Sequence, residues 1–260
     1  RAVNLHTFPE TAPTRRTGMN IDRPKIVLLY QSLLGIYGDH GNAVVLTKRL
    51  QWRGIDAELL IVEPGQPVPT DGAVYLLGGG EDTAQITAVQ ELEADGGLFT
   101  ALDDGAMLFA VCAGYQICGK SFTIGARNEV IKGLGLLDAE TRRGPERAVG
   151  EVLHIWTQPD GNTYPITGFE NHGGWTELGS DAKPLAAVEI GWGNGNRRDE
   201  GAVQGRVIGT YPHGPVLVRN PQLADHVLEM ALGRRLEPLD IPEMTALRQR
   251  RIEAVRTDRS

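Results

Sequence analysis

Cys112 lies in AVCAGYQICGKSF, residues 110–122, where the patterns of two chemistries overlap. From Gly114 the string G-Y-Q-I-C-G-K-S satisfies G-x-x-x-x-G-K-[ST], the loop whose backbone N–H groups cradle phosphate while its lysine and hydroxyl open a helix. Its four variable positions are Tyr115, Gln116, Ile117 and Cys118, which are poor material for wrapping an anion closely. After Ser121 comes FTIGARN, whose Thr123, Ile124 and Gly125 do not make a good helix. An acid after an apolar run, Asp138 in LGLLD, is a common pattern and rescues little. Centred on Cys112, the same letters describe an apolar strand, MLFAV, ending in a cysteine flanked by small residues, the form of a nucleophile elbow. Such a turn crowds the positions two before and two after the nucleophile, here Ala110 and Gly114. A helix over 113–120 would aim the Ala113 amide and its dipole at Cys112 and favour a thiolate. The competing structural reading is a buried strand cysteine, which most free cysteines are.

A thiolate attacking a carbonyl needs donors for the oxyanion and a base. LLGGGED (76–82) ends the preceding apolar run, and its glycines let the amides of Gly79 and Gly80 join Ala113 close to the cysteine. The plainer alternative is a flexible turn. Among six histidines, His213 in RVIGTYPHGPV follows a strand directly, between Pro212 and Gly214. His172 in GFENHGGWT is the rival, and His226 falls within a helix.

Those residues must be positioned by a fold. The chain has 260 residues, 41% hydrophobic and 23% charged, as ordinary globular proteins do. A net charge of −7 and a pI near 5.4 argue against nucleic-acid binding. No apolar run approaches the ~20 residues that span a bilayer. RAVNLHTFPETAPTRRTG lacks the apolar stretch of a secretory signal, and residues 1–24 read as a disordered extension. Cys112 and Cys118, about 9 Å apart along a helix, do not pair, and the scattered histidines offer no zinc spacing, so no metal site is expected. Unpaired thiols suggest a cytoplasmic setting.

KIVLLY (25–30), AELLIV (57–62), AVYLL (73–77) and MLFAVC (107–112) are continuous apolar strands. They alternate with helical patterns at 43–53, closed by Gly54, and at 83–103, interrupted at Gly96 and Gly97. That alternation predicts an α/β fold with a mostly parallel sheet flanked by helices. Past residue 125, GLLDAET, AVGEVLHIW, YPITGFE, LAAVEI and RVIGTY crowd between turns, predicting an added antiparallel β lobe. A helix follows at 221–235, and 236–260 reads as a charged tail or docking helix after a single domain at 25–235.

C-A-G-Y-Q, the GGG turn and G-T-Y-P-H-G together resemble the class I glutamine amidotransferases, in their cobyric-acid-synthase-like branch. Within it, YGDHGN, KRLQWRGI, GFENHGG, GNGN and GTYPHGPVL resemble the GatD-type glutaminase subunits of lipid II isoglutaminyl synthase, over about residues 25 to 232. The resemblance implies a flavodoxin-like sheet. It implies Cys112 as the nucleophile that forms a glutamyl thioester from L-glutamine, His213 as base, and Arg147 and Gln116 as substrate-binding residues, with Arg142 and Arg143 near enough to contest the arginine. It implies ammonia delivery to a Mur-ligase-like partner, MurT, which carries ATP, magnesium and the lipid II acceptor. Amidation of the D-glutamate α-carboxyl, peptidoglycan synthesis and a place at the inner membrane face would follow, with no cofactor in this chain.

Two departures from the family pattern stand out. Ala110 occupies the first position of G-x-C-x-G, and His213-Gly214-Pro215 replaces H-x-E, leaving the histidine without its acid. Asp39, Glu170 or a partner residue would have to supply it. The rival functions are a glutaminase for a cobyrinate-type synthetase, a freestanding thiol hydrolase, a non-catalytic binding subunit and the NTPase.

Overall fold

The computed structural model describes residues 22–158 and 160–257; the expected extension at 1–24 lies mostly outside them. β1 (Lys25–Leu29), β2 (Glu58–Val62), β3 (Val74–Leu77) and β4 (Met107–Val111) alternate with helices α1 (Gln31–Leu34), α2 (His40–Gln51), α3 (Asp82–Asp95) and α4 (Gly97–Asp103). After β4 come α5 (Ala113–Cys118), β5 (Ser121–Ile124), β6 (Glu129–Lys132), β7 (Ala139–Thr157), β8 (Thr163–Leu178), β9 (Ala186–Ile190), β10 (Asp199–Glu200), β11 (Ala202–Gln204) and β12 (Val207–Thr210). Helices α6 (Val216–Arg219), α7 (Pro221–Leu232) and α8 (Pro242–Thr257) follow.

The first sheet has the order β11-β12-β4-β3-β1-β2, parallel except for β11. β3 and β4 are buried along their whole length, as expected of strands covered on both faces. α2, α6 and α7 pack on one another, and α3 packs on α1, α4 and α5, giving the sheet its two helical layers. RVIGTY, expected among the antiparallel strands, returns to this sheet as β12, parallel to β4. That return sets residues 211–213 beside the end of β4.

The second sheet is the added lobe, built around β7 and β8. GLLDAET and AVGEVLHIW, read as separate strands, join into the single β7. Its pairing with β8 shifts register between Arg143 and Ala148, at Gly144 and Pro145. Proline has no N–H for the ladder, so the chain bulges there. The tail forms α8, which packs back on β7 and β8, with Ile252 and Val255 against Leu153.

The phosphate-loop pattern of residues 114–121 does not form a loop. Residues 114–118 lie in α5, and Ser121 opens strand β5 where a helix would be needed. Lys120 is ion-paired with Asp138. No helix among the described residues is long and apolar enough to cross a membrane.

Candidate active site

β4 runs straight into α5, and the residue at the switch is Cys112, at φ 52 and ψ −107. A side chain held at positive φ is strained by about 1–3 kcal/mol and persists only where its surroundings fix it. Here the Cys112 amide donates to the Thr210 carbonyl (2.9 Å), the Gly114 amide to the Gly78 carbonyl (3.0 Å) and the Gln116 amide to the Cys112 carbonyl (3.0 Å). A Cβ on Gly114 would lie 2.8 Å from the Leu77 Cβ and 2.9 Å from the Gly78 oxygen, so only glycine lets α5 approach β3. Ala110 is wholly buried and fits, consistent with the steric tolerance expected of it.

His213 reaches the site from the next strand. Its backbone exchanges two hydrogen bonds with Phe169 of β8, N to O at 3.0 and 2.9 Å, tying the loop to the second lobe. Its Nδ1 is 3.1 Å from both carboxylate oxygens of Asp39. Asp39 precedes α2, whose start is locked to α6: the Leu217 amide donates to Asn42 Oδ1 (2.9 Å), and Gly41 packs against Pro215. This clamp carries a residue from beyond β1 to a histidine beyond β12. Burial disfavours a charged His213, but the hydrogen bond to Asp39 and the charges of Cys112 and Asp39 outweigh it and raise the imidazole pKa to about 10. The remaining ring nitrogen, Nε2, is buried and has no partner among the described residues. Cys112, His213 and Asp39, the candidates for nucleophile, base and orienting acid, therefore stand together.

Residues 25–221 match the CobB/CobQ-like glutamine amidotransferase domain. The chain belongs to this family. It is 32% identical to the lipid II isoglutaminyl synthase (glutamine-hydrolyzing) subunit GatD of Staphylococcus aureus N315, over 87% of this chain and 93% of that protein. The GatD subunit of Streptococcus pneumoniae R6 is 31% identical, over 81% of each. A cobyric acid synthase from Sphingopyxis alaskensis is 35% identical over 66% of this chain, but only 34% of that protein. Among solved structures, a glutamine amidotransferase matches with TM-score 0.54 at 22% identity, over 79% of this chain and 98% of that one. PurLQS from Thermotoga maritima gives 0.54 at 16% identity, over 81% and 95%. These structural matches show the fold, and the enzyme class is that of a glutamine-hydrolysing amidotransferase subunit.

In this amidotransferase a cavity of about 430 Å³ opens between the two sheets, lined by Cys112, Ala113, Gly80 and Gln116 on one side and by Arg147 and Asn171 on the other. Arg147 sits on the β7 bulge, its Nε donating to Asn171 Oδ1 (2.8 Å) and its Nη2 to the Asn171 carbonyl (3.3 Å). Arg143 also lines the cavity, whereas Arg142 bonds Glu140 (3.3 Å) away from it. Gln116 accepts from Gln85 Nε2 at 2.8 Å, and its own Nε2 is 3.5 Å from the Tyr211 hydroxyl.

Two expectations need correction. The Gly79 amide donates to Asp39 Oδ2 (2.9 Å) and is committed to holding the acid, so it is no oxyanion donor here. Gly80 and Ala113 keep that candidacy, since neither amide has a hydrogen bond to another described residue. Glu170 does not orient His213: its carboxylate accepts from the Trp192 amide (3.0 Å) and lies 3.8 Å from His172 Nε2. His172 borders the cavity but is stacked on Tyr211, ring centroids 3.7 Å apart, with Nδ1 2.8 Å from the Gly174 carbonyl. Cys118 is fully buried, and burial pushes its thiol pKa up. Tyr37, Gln85 and Asn171 escaped the sequence reading. YGDHGN, which carries Tyr37 and Asp39, was the signal at hand, but nothing in it pairs either residue with a histidine 174 positions away.

Proposed function

We propose that this chain hydrolyses L-glutamine at Cys112 and passes the ammonia to a Mur-ligase-like, ATP-using partner of the MurT kind, which amidates the D-glutamate α-carboxyl of lipid II. The observation that carries the catalytic half is His213, held by Asp39 on Nδ1 and raised in pKa by Asp39 and Cys112. His213 takes the thiol proton as the Cys112 sulfur attacks the side-chain amide carbon. The oxyanion takes hydrogen bonds from the amides of Ala113 and Gly80. His213 gives its proton to the departing nitrogen, and ammonia leaves a glutamyl thioester. Neutral His213 then takes a proton from water, whose oxygen attacks the thioester. Glutamate departs as His213 returns that proton to the Cys112 sulfur. Arg147 holds the substrate carboxylate, and Gln116 meets its polar end.

The acceptor half rests on the two GatD relatives, which match across most of their own length, whereas the cobyric acid synthase match covers a third of that protein. A cytoplasmic site, at the membrane face where a lipid-linked acceptor is held, goes with this reading. The test is acid quenching during turnover followed by peptide mass spectrometry. A glutamyl adduct on Cys112, absent from Cys118 and from Cys112→Ala protein, is the expected result. Turnover by Cys112→Ala would refute the chemistry. Reconstitution with the Mur-ligase-like subunit, MgATP and lipid II should give the isoglutaminyl product; amidation of a cobyrinate-type acceptor instead would refute the acceptor.

A further inference from the structure

The turn before α2 delivers more than the acid. Tyr37 is two residues from Asp39, and its ring lies against the His213 imidazole, centroids 4.6 Å apart at 38°. The two rings meet over Gly79: a Cβ there would be 2.8 Å from Tyr37 Cδ2 and 2.9 Å from His213 Cε1. Asp39 thus holds one edge of the imidazole while the tilted Tyr37 ring packs against it. An imidazole anchored through Nδ1 alone can still pivot about that contact, and a ring packed beside it restricts that freedom.

The other end of Tyr37 faces substrate recognition. It lines the catalytic cavity together with Arg147. Burial raises the phenol pKa, the Cys112 and Glu81 charges act the same way, and the positive charge of Arg147 opposes them. Tyr37 therefore packs against the base and lines the same cavity as the arginine assigned to the α-carboxylate.

We propose that Tyr37 is a positioning residue that couples carboxylate recognition at Arg147 to the orientation of His213. The proposal rests on the glutaminase reading above. The phenol hydroxyl keeps Arg147 placed for the carboxylate, and the aromatic face keeps Nε2 directed for proton transfer. The two functions reside in different atoms, so they separate by substitution.

The experiment uses the full chain with glutamine and compares Tyr37→Phe with Tyr37→Leu, each checked for folding by circular dichroism. Tyr37→Phe keeps the ring and should raise KM three- to tenfold with kcat within twofold. Tyr37→Leu loses the flat face and should lower kcat at least tenfold, with its alkaline limb moved to lower pH. Two alkylating probes give a second readout. A glutamine-shaped diazoketone, which carries the α-carboxylate, should inactivate Tyr37→Phe more slowly than wild type, whereas iodoacetamide should alkylate Cys112 of both at equal rates. Wild-type KM in Tyr37→Phe, or wild-type kcat and pH limb in Tyr37→Leu, overturns the proposal. Absence of turnover and of Cys112 labelling in the wild-type chain would instead overturn the glutaminase reading.

Discussion

At the scale of single residues, the proposed reaction turns on the contact between Asp39 and His213. Asp39→Asn keeps the shape and removes the charge, and it allows the amide to present an N–H where Nδ1 needs an acceptor. Loss of the equivalent orienting charge costs about 10⁴ in a serine protease. A reduction in kcat of about 10²–10⁴ is expected here, with far less effect on KM. The pH profile gives an independent check. Asp39 is among the causes that raise His213 to about 10, against burial. The protonated imidazole, the form that gives its proton to ammonia, therefore persists until pH approaches that value. Without the carboxylate the alkaline limb of kcat should move down by more than a unit. A limb that stays in place would mean that another group holds the proton.

Among the elements, β10 to β12 carry a group the proposed reaction does not use, and it should register in stability. Glu200 is wholly buried; it accepts from the Thr210 hydroxyl (2.7 Å) and the Tyr211 amide (2.8 Å), while Oε2 has no hydrogen-bond partner among the described residues. Burial raises its pKa to about 7, against those two hydrogen bonds. Between about 4.5, the unfolded value, and 7 the native chain holds a proton that the unfolded chain has released. Stability from this group is therefore lost as pH rises through that window. Glu200→Gln stays neutral throughout, so its Tm relative to wild type should climb from pH 5 to pH 8. A difference that does not change with pH would show that Glu200 is ionised in both states. What the sequence disclosed at this scale follows from distance along the chain. The elbow was legible because Ala110, Cys112 and Gly114 are local, and the buried strands because their apolar runs are continuous. The single span of β7 was not, since Gly144 and Pro145 read as a break when they only bulge it. Asp39 was not assignable because its meeting with His213 depends on α2 packing against α6, a contact no local spacing encodes.

For the whole molecule, the question is how far this chain can act without the proposed partner. The missing H-x-E acid leaves room for a partner residue to complete the site. The fold answers with a clamp of its own: β12 brings His213 beside Cys112, and β8 pins the His213 backbone. Asp39 closes the set from the far side of the sheet, itself held by the Gly79 amide. The candidate nucleophile, base and acid thus come from three segments of one chain, and the cavity beside them is lined on both sides by that chain. The isolated protein should accordingly hydrolyse glutamine, and adding the Mur-ligase-like subunit should change kcat by less than about tenfold. Asp39→Asn should cripple the isolated chain and the complex alike. The measurement is ammonia release by the chain alone and with increasing partner, wild type against Asp39→Asn. Should the wild-type chain stay silent until the partner is added, with Asp39→Asn reaching the same rate in the complex, the orienting acid lies in the partner and Asp39 serves only to hold the turn before α2.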